Sequence, residues 1–281
     1  MDVETKDNLI FEVKTLKSVV IKMLVECIKP YIKEANLLFT KDGIKLSTLD
    51  STKCSLTHIK LNAEKFESFY CEKPIVIGVD ITALHKLIKT VNIRETICLY
   101  LEKNNTDKLG VILQDAFKGK VKRYKLPLLE IDEKIINIPE MSFDYIINMP
   151  SQDFQQIIRD LDLLESKVVE IKSIEKQLVF SCKDGLAEFE TVITEVAENN
   201  EQKALLQQNG DDIKTIMFHK SNDEIVQGKF KLYFLMYFIK ATNLCQNINI
   251  YLKNDKPLIL EYFVADLGTL RFLLSPCLDT E

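Results

Sequence analysis

The hydrophobic and polar positions of the chain trace the same order of elements twice. Leu84–Leu113 and Met236–Val264 each begin with apolar residues at helical spacing and continue as two alternating stretches around an Asn- and Asp-containing turn. A period near 3.6 residues predicts a helix, and strict alternation predicts a half-buried strand. Lys89 and Lys240 occupy matching positions in the two segments. We therefore expect an internal duplication, in which both segments fold as helix, connector, strand, turn and strand.

A second pair of segments predicts a hairpin in each half. Leu37–Leu49 and Leu178–Glu190 both contain a Lys-Asp-Gly turn between two strand-like stretches. A helical stretch precedes each hairpin. The first, at about residues 16–32, has apolar residues at helical spacing: Leu16, Val20, Met23, Leu24, Cys27 and Ile28.

The second helical stretch, at about residues 151–163, carries its own start signal. Ser151 is the predicted N-cap, and Asp153 lies in the first turn, where a negative charge suits the helix dipole. Its predicted apolar stripe consists of Phe154, Ile157, Ile158 and Leu161.

These elements predict an α+β fold of two topologically similar domains, each with two helices packed on antiparallel sheets of eight or nine strands in total. The expected domains are residues 1–125 and 143–281, joined by a connecting loop at residues 126–142. The loop is apolar and holds two prolines, so we expect it to lie along the surface of both domains. Residues 195–212 are the most polar stretch and predict an exposed, partly disordered loop.

Composition narrows the class of protein. The net charge is −5, and lysines far outnumber the four arginines, which disfavours sequence-specific DNA recognition through arginine. The seven cysteines are odd in number and form no C-x-x-C motif, which predicts reduced thiols in an intracellular protein, with Cys27, Cys98 and Cys245 in or near the core. No apolar run predicts a membrane span, and the acidic N-terminus predicts no signal peptide.

Catalytic and cofactor-binding patterns are absent from the sequence. There is no phosphate-binding glycine loop, no dinucleotide-binding fingerprint and no nucleophile elbow. The three histidines have no partners at metal-ligand spacing. The sequence therefore predicts a protein without catalytic residues, metal or cofactor.

Four segments, in this order along the duplicated chain, resemble the proliferating cell nuclear antigen family of sliding clamps: Asp42–Leu56, Ile136–Glu140, Met149–Leu161 and Lys256–Pro276. The resemblance runs from Phe11 to about Leu278. It implies the DNA-clamp fold and a head-to-tail homotrimer, in which six domains form a ring with strands outside and helices lining the hole. It also implies a non-catalytic processivity factor that encircles duplex DNA.

The resemblance places the subunit interface on two edge strands, at about residues 117–125 and 186–194. The interface residues that it implies are Arg123, Tyr124 and Lys125 on one strand and Glu188 and Glu190 on the other. The first segment is basic and the second acidic, which favours pairing of each with the other and opposes self-pairing. The second segment lacks the small, glycine-containing start that is usual in the family.

The DNA-facing residues implied by the family are Lys22, Lys29, Lys86, Lys89, Arg159 and Lys240. Lys22 and Lys29 are seven residues apart and therefore share one helix face. Lysines that touch phosphates carry no sequence information and allow sliding. Met23 and Gln156 stand where the family usually has cations.

The resemblance also implies a pocket for client peptides, formed by Leu49, Cys54, Ile136, Ile138, Pro257, Leu273, Leu274 and Pro276. Leu273 stands where the family has a tyrosine. The implied partners are further copies of the chain, double-stranded DNA without sequence specificity, DNA polymerase, clamp loader, flap endonuclease and ligase, at work in the nucleus or at a viral replication site. No membrane partner is expected.

Two alternatives remain open from the sequence. One is a clamp-fold subunit of a heterotrimeric checkpoint ring, which would not close on itself. The other is a virus clamp-like transcription factor. The native mass of the purified chain separates the homotrimer from the checkpoint subunit.

Overall fold

Antiparallel pairing of the alternating segments organises the chain into two compact units. The computed structural model describes residues 6–132, 136, 138, 141–195, 216–220 and 224–277. The first unit comprises Met1–Pro139 and Phe263–Arg271, and the second comprises Glu140–Tyr262 and Phe272–Glu281. The division between Pro139 and Glu140 falls inside the predicted connecting loop, while the predicted domain limits stay a prediction.

The first unit has the element order strand, helix, five strands, helix, three strands. Its helices are α1 (Ser18–Ile28) and α2 (Ile81–Ile88). Its strands are β1 (Leu9–Thr15), β2 (Glu34–Thr40), β3 (Gly43–Leu49), β4 (Ser55–Asn62), β5 (Ser68–Cys71), β6 (Ile75–Asp80), β7 (Glu95–Glu102), β8 (Asn105–Asp115) and β9 (Lys120–Pro127). One sheet has the order β5-β1-β7-β8-β9, and β6, β2, β3 and β4 pair in that order in another.

The core of the first unit lies between these sheets and beneath the helices. Phe11 of β1 stacks on Phe39 of β2, with ring centroids 4.0 Å apart. Helix α2 begins where the Asp80 side chain accepts a hydrogen bond from the Ala83 amide at 2.8 Å, which satisfies one of the free N–H groups of the first turn. It then buries Leu84 and other apolar residues on one face.

The segment after β9 packs against the first unit. The Leu129 amide donates to the Gly78 carbonyl at 2.9 Å, and the Asn36 side chain donates to the Ile131 carbonyl at 3.1 Å. A Cβ at position 78 would lie 2.2 Å from the Leu129 carbonyl oxygen, so glycine is required for this approach. The start of the predicted connecting loop, at Leu129 and Ile131, thus packs on the first unit. β9 extends to Pro127, two residues into the predicted loop. The expected contact with both units stays a prediction.

The described part of the second unit repeats the same order of elements. Its described helices are α3 (Ser151–Leu163) and α4 (Leu232–Phe238), and a 3-10 helix, Ile239–Leu244, follows α4 directly. Its described strands are β10 (Tyr145–Pro150), β11 (Val168–Ile174), β12 (Gln177–Cys182), β13 (Phe189–Thr194), β14 (Met217–Lys220), β15 (Val226–Lys231), β16 (Asn247–Leu252), β17 (Leu258–Val264) and β18 (Gly268–Leu274). β17 and β18 each contribute residues to both units.

The strands of the second unit pair as β13-β12-β11-β15 and as β14-β10-β16-β17. Phe238 of α4 stacks on Phe272 with ring centroids 4.3 Å apart, and Phe154 of α3 meets Phe180 of β12 edge on. The predicted apolar stripe of α3 is confirmed, because Phe154, Ile157, Ile158 and Leu161 are all buried. The predicted duplication, with two helices and eight or nine strands in each half, is confirmed among the described residues, where each half has two α-helices and nine strands.

Two predictions about helix starts are wrong. Ser151 is the first residue of α3 and not its N-cap. Its buried hydroxyl does not cap the helix, because it faces the Cys245 carbonyl at 2.7 Å and the Gln246 carbonyl at 2.9 Å and donates to them. Leu16 is not part of the apolar stripe of α1. It precedes the helix and is largely exposed, because α1 begins only at Ser18.

The second Lys-Asp-Gly turn is longer than predicted. The Asp184 carboxylate accepts hydrogen bonds from the Ser166 hydroxyl at 2.6 Å and the Lys167 amide at 2.7 Å, and the Leu186 amide donates to the Leu164 carbonyl. These contacts tie the turn to the end of α3, so β13 starts only at Phe189.

All seven cysteines are free. Cys27 and Cys98 are buried, and Cys245 is half-buried. Within the described ranges, no helix is long and apolar enough to cross a membrane. The same ranges contain no cluster of three or more His, Cys, Asp or Glu side chains arranged to hold a metal ion. Of the predicted polar loop at residues 195–212, only Glu195 is among the described residues.

Candidate functional site

Positive side chains of α1 and α2 come together on the first unit. Lys22 lies on α1, and Lys29 is the residue that ends it. Lys86 and Lys89 lie on and directly after α2, and both are exposed. Cations at a helix C-terminus are stabilised by the helix dipole, which explains why the exposed last turn of α2 is basic.

The pKa of His85 on α2 reflects the charges of nearby lysines. Burial lowers its pKa, and the charges of Lys29, Lys89 and Lys22 lower it further, while Glu26 raises it. Charges act at this strength only over short distances in water. Lys22, Lys29 and Lys89 therefore lie near His85, and Lys86 follows it on α2; we call these four lysines the basic patch. His85 was not among the implied residues, although its position one residue before Lys86 is a signal for it.

The second unit presents a different surface at the corresponding helices. Arg159 is exposed on α3, but the same helix carries Asp153, Asp160 and Asp162. The Asp160 carboxylate accepts a hydrogen bond from the Gln156 side chain at 2.7 Å. Lys240 is exposed in the 3-10 helix that follows α4, and not on an α-helix as the resemblance implied.

Two tyrosines of α4 precede Lys240, which lies in the 3-10 helix that follows. Tyr233 and Tyr237 lie seven and three residues before Lys240, so the three side chains recur at helical spacing. The two rings meet edge to face with centroids 5.1 Å apart, and Tyr233 is 62% exposed. The sequence interpretation missed this pair, although the spacing Tyr-x3-Tyr-x2-Lys was visible.

The two segments expected at the subunit interface both form sheet edges. Among the described strands, β9 is the last of its five-stranded sheet and β13 the last of its four-stranded sheet. An edge strand leaves half of its backbone N–H and C=O groups without a partner in its own sheet. Both edges also expose large apolar side chains: Phe117 and Val121 near or on β9, and Leu186 and Val192 near or on β13.

One charged side chain at these edges is already paired within its own unit. Lys125 forms an ion pair with Glu102 and lies over the Tyr100 ring, 4.8 Å from its centroid. Arg123 is exposed, and Tyr124 is half-buried. On the second unit, Glu190 is exposed on β13, whereas Glu188 is exposed in the loop before it.

The residues implied for the peptide pocket divide equally between the two units. In the first unit, Leu49 is 37% exposed at the end of β3, and Cys54, Ile136 and Ile138 are half-buried. In the second unit, Leu273 and Leu274 are buried within β18, at 7% and 1% exposure. Pro257 and Pro276 are half-buried. Leu49 therefore offers more accessible apolar surface than either leucine of β18.

The first residue of the loop beside Leu49 accepts several hydrogen bonds from that loop. The Asp50 carboxylate accepts hydrogen bonds from the Thr52 amide at 2.7 Å and the Ser55 amide at 2.6 Å, and also from the Thr52 hydroxyl. Burial raises the pKa of Asp50, but these hydrogen bonds outweigh it and hold the pKa below its usual value. Lys53 adopts a left-handed backbone conformation in the same loop, with φ of 58°.

Known proteins resemble the chain over nearly its whole length. The family model described as proliferating cell nuclear antigen, N-terminal domain, matches residues 10–135. The model described as proliferating cell nuclear antigen, C-terminal domain, matches residues 137–277. The chain is also 32% identical over 273 residues to "Probable DNA polymerase sliding clamp 1" of Paramecium bursaria Chlorella virus 1, which covers 97% of this chain and 99% of that relative.

Proposed function

Because the chain belongs to the proliferating cell nuclear antigen family, we propose that three copies close head to tail into a ring around duplex DNA. Its function is that of a DNA sliding clamp, a processivity factor for DNA replication. Head-to-tail contacts join two different surfaces of each subunit, and such contacts make a ring when the rotation between subunits closes. Each copy must therefore carry two complementary edges.

The observation that carries the proposal is the pair of open edges, β9 and β13. Each is the terminal strand of its sheet among the described strands, and each exposes apolar side chains. Arg123 is positive and exposed on β9, and Glu190 is negative and exposed on β13. Pairing of β9 with β13 of the next subunit would satisfy the backbone groups of both strands and join opposite charges. Two β9 strands would instead bring like charges together.

The basic patch of the first unit supports DNA as the ligand inside the ring. Lys22, Lys29, Lys86 and Lys89 contribute to it around or beside His85, while the chain as a whole has a net charge of −5. Lysines that contact phosphates bind any sequence. We therefore propose that the ring holds duplex DNA without sequence preference and slides along it.

Client proteins are proposed to bind through short peptides that bury aromatic side chains against apolar residues near Leu49. The exposure of Leu49 supports this, because an accessible leucine beside a hydrogen-bonded loop is a ready anchor point. Clients of this kind include DNA polymerase, clamp loader, flap endonuclease and ligase. The protein itself is proposed to tether these enzymes without catalysing a reaction, in the nucleus or at a viral replication site.

Primer extension by a replicative polymerase and its clamp loader tests the proposal. A ring that encircles DNA remains on a primed circle or on linear DNA with blocked ends, but slides off free ends. We expect longer products per binding event on the first two templates and little effect on the third. Equal stimulation on all three would contradict encirclement. Tight, sequence-selective binding by the free protein would support a transcription factor instead.

A further inference from the structure

A strip of positive charge runs along β3 and β4 of the first unit. Lys45 of β3 lies directly opposite Lys60 of β4, and Ser47 lies opposite His58. Alternation along both strands places these four side chains on one face of the sheet. The next pair on the same face of the sheet is Leu49 opposite Leu56. We call Lys45, Ser47, His58 and Lys60 the basic strip; it leads to the exposed leucine at which client peptides are proposed to anchor.

The like charges of the basic strip are not neutralised within the described structure. Two lysines directly opposite each other on neighbouring strands repel and destabilise the pair. In the described part of the chain, neither Lys45 nor Lys60 forms an ion pair with an acidic side chain. This arrangement is unexpected in a chain whose acidic residues outnumber its basic ones, 42 to 37.

His58 shows that the local field is positive. Its pKa is lowered to about 4, first by burial and then by the charges of Arg271, Lys45 and Lys60. Arg271 belongs to the part of β18 that lies in the first unit, beside β4. Every charge with a resolved effect on His58 is thus a cation. The histidine stays neutral at physiological pH and adds a polar, uncharged ring between the lysines and the leucines.

The basic strip faces away from the helices that carry the basic patch. Ile44 and Leu46 of β3, and Ile59 and Leu61 of β4, alternate with the strip residues and are buried in the core. The apolar faces of α1 and α2 also pack into the core of this unit. The core therefore separates the strip from the lysines of the helices. Duplex DNA held at the helices does not reach the strip, which favours a protein partner there.

We propose that the basic strip binds an acidic segment of client peptides, next to the aromatic anchors that pack at Leu49. The proposal rests on the proposed clamp function and names the chemistry of its clients. From Leu49 to Lys45 is four residues along a strand, about 13 Å at roughly 3.3 Å per residue. An extended client would therefore place its carboxylates about four residues from its anchors. Opposite charges favour this contact, and salt weakens it.

Calorimetric titration of the full chain with matched peptides tests the proposal. Each peptide carries the same paired aromatic anchors and either three Asp or three Asn residues, four positions before or after them. Lys45 is half-buried and Lys60 is exposed. With two such charge pairs at stake, we expect the better-placed acidic peptide to bind about fivefold more tightly than its neutral match in low salt. In the variant Lys45→Gln with Lys60→Gln, the ratio should fall below about twofold. The control variant Lys14→Gln with Lys167→Gln, at two exposed lysines outside the strip, should keep the wild-type ratio.

Each other outcome has a definite meaning. If neutral peptides bind but neither acidic placement improves affinity, the strip does not select clients, while the clamp function stands. An acidic preference that survives in the strip variant also overturns the proposal. Loss of duplex binding in that variant, with the peptide ratio unchanged, assigns the strip to nucleic acid instead. If no peptide binds the wild type, the tethering function and the strip proposal both fail.

Discussion

Lys29 at the end of α1 and His85 on α2 lie close enough for the charge of the lysine to lower the pKa of the histidine. Burial is the larger cause of the lowered pKa, and Lys89 and Lys22 act in the same direction as Lys29. Two helices that are separate in sequence thus build one basic patch. This patch supports the proposal that the first unit contacts DNA.

Reversing two charges of the basic patch should impair the clamp without disturbing its assembly. We expect Lys86→Glu with Lys89→Glu to reduce polymerase stimulation strongly, because the reversed charges repel the phosphates. Each lost phosphate contact also lowers the slope of log K against log salt concentration by roughly 0.9. Both side chains are exposed, so the native mass and the affinity for client peptides should stay unchanged. Primer extension, native mass and peptide titration measure the three properties.

The control for this experiment is Lys14→Glu with Lys167→Glu, which changes the net charge equally at exposed sites away from α1 and α2. It should retain polymerase stimulation. An equal loss in both variants would show that overall charge, and not the basic patch, governs the interaction with DNA.

The ring should depend on β9. Arg123→Glu with Tyr124→Ala places a negative charge on the basic edge and removes an aromatic side chain from it, so we expect a shift to monomers in analytical ultracentrifugation. Lys125 is a poorer target, because its ammonium group is already paired with Glu102. If the double variant sediments like the wild type, β9 does not form the interface.

A charge exchange tests the same contact from the other side. Arg123→Glu alone should weaken assembly, since it opposes Glu190 of the next subunit, and adding Glu190→Arg should restore it at least partly. Close charge pairs at interfaces can contribute about 1.5 kcal/mol or more, which sedimentation over a range of concentrations resolves. No restoration would mean that these two residues are not neighbours in the assembly.

The sequence was sufficient for the order of elements, because each half combines strict strand alternation with helical spacing. The family resemblance implied two edge strands, and β9 and β13 are sheet edges among the described strands. The sequence was not sufficient for helix starts. A serine before an apolar stripe usually caps a helix, but the hydroxyl of Ser151 lies beside carbonyls of a distant segment. Tertiary contacts of this kind leave no local signal.

For a similar reason, the sequence predicted some residues of the candidate site but not how they come together. The lysines of α1 and α2 were implied by the family resemblance, and helical spacing puts Lys22 and Lys29 on one face. Their convergence around His85 depends on how the helices pack. Tyr233 and Tyr237 were not predicted, because tyrosine suits both a core and a surface. The basic strip was invisible in the sequence, since it requires the register that pairs Lys45 with Lys60.

Client binding should depend on the connecting segment. Ile138→Ser replaces a half-buried apolar side chain with a hydroxyl, so we expect about tenfold weaker binding of a generic clamp-binding peptide, or about 1.4 kcal/mol, from a wild-type dissociation constant near micromolar. Calorimetric titration gives the affinity. Ile93→Ser is the matched control, because Ile93 is 83% exposed in the loop after α2. Unchanged affinity in the Ile138 variant would exclude this residue from the pocket.

Stability should fall on mild acidification partly through His58. Its folded-state pKa of about 4 lies below the ordinary value of 6.5, so between these values the unfolded chain binds a proton that the folded chain does not. The unfolding free energy therefore decreases as pH falls from 6.5 toward 4, by roughly 1–2 kcal/mol after allowing for a partly exposed ring. Above pH 6.5 this contribution is flat.

Denaturant unfolding at pH 7.5 and pH 5 measures this effect. His58→Gln should lose less stability than the wild type between the two pH values, because the amide does not titrate. His219→Gln, at an exposed position on β14, should behave like the wild type. If all three proteins lose equal stability, His58 is not responsible for the pH dependence.

Native mass spectrometry of the purified full chain tests the central claim most directly. The chain has a mass of 32.4 kDa, so a closed ring of three copies has a mass of three times 32.4 kDa, about 97 kDa. We expect this species to dominate at micromolar concentration and to disappear in the variant Arg123→Glu with Tyr124→Ala. A single 32.4 kDa species for the wild type across the concentrations tested would contradict a self-closing ring and support a subunit that needs other chains.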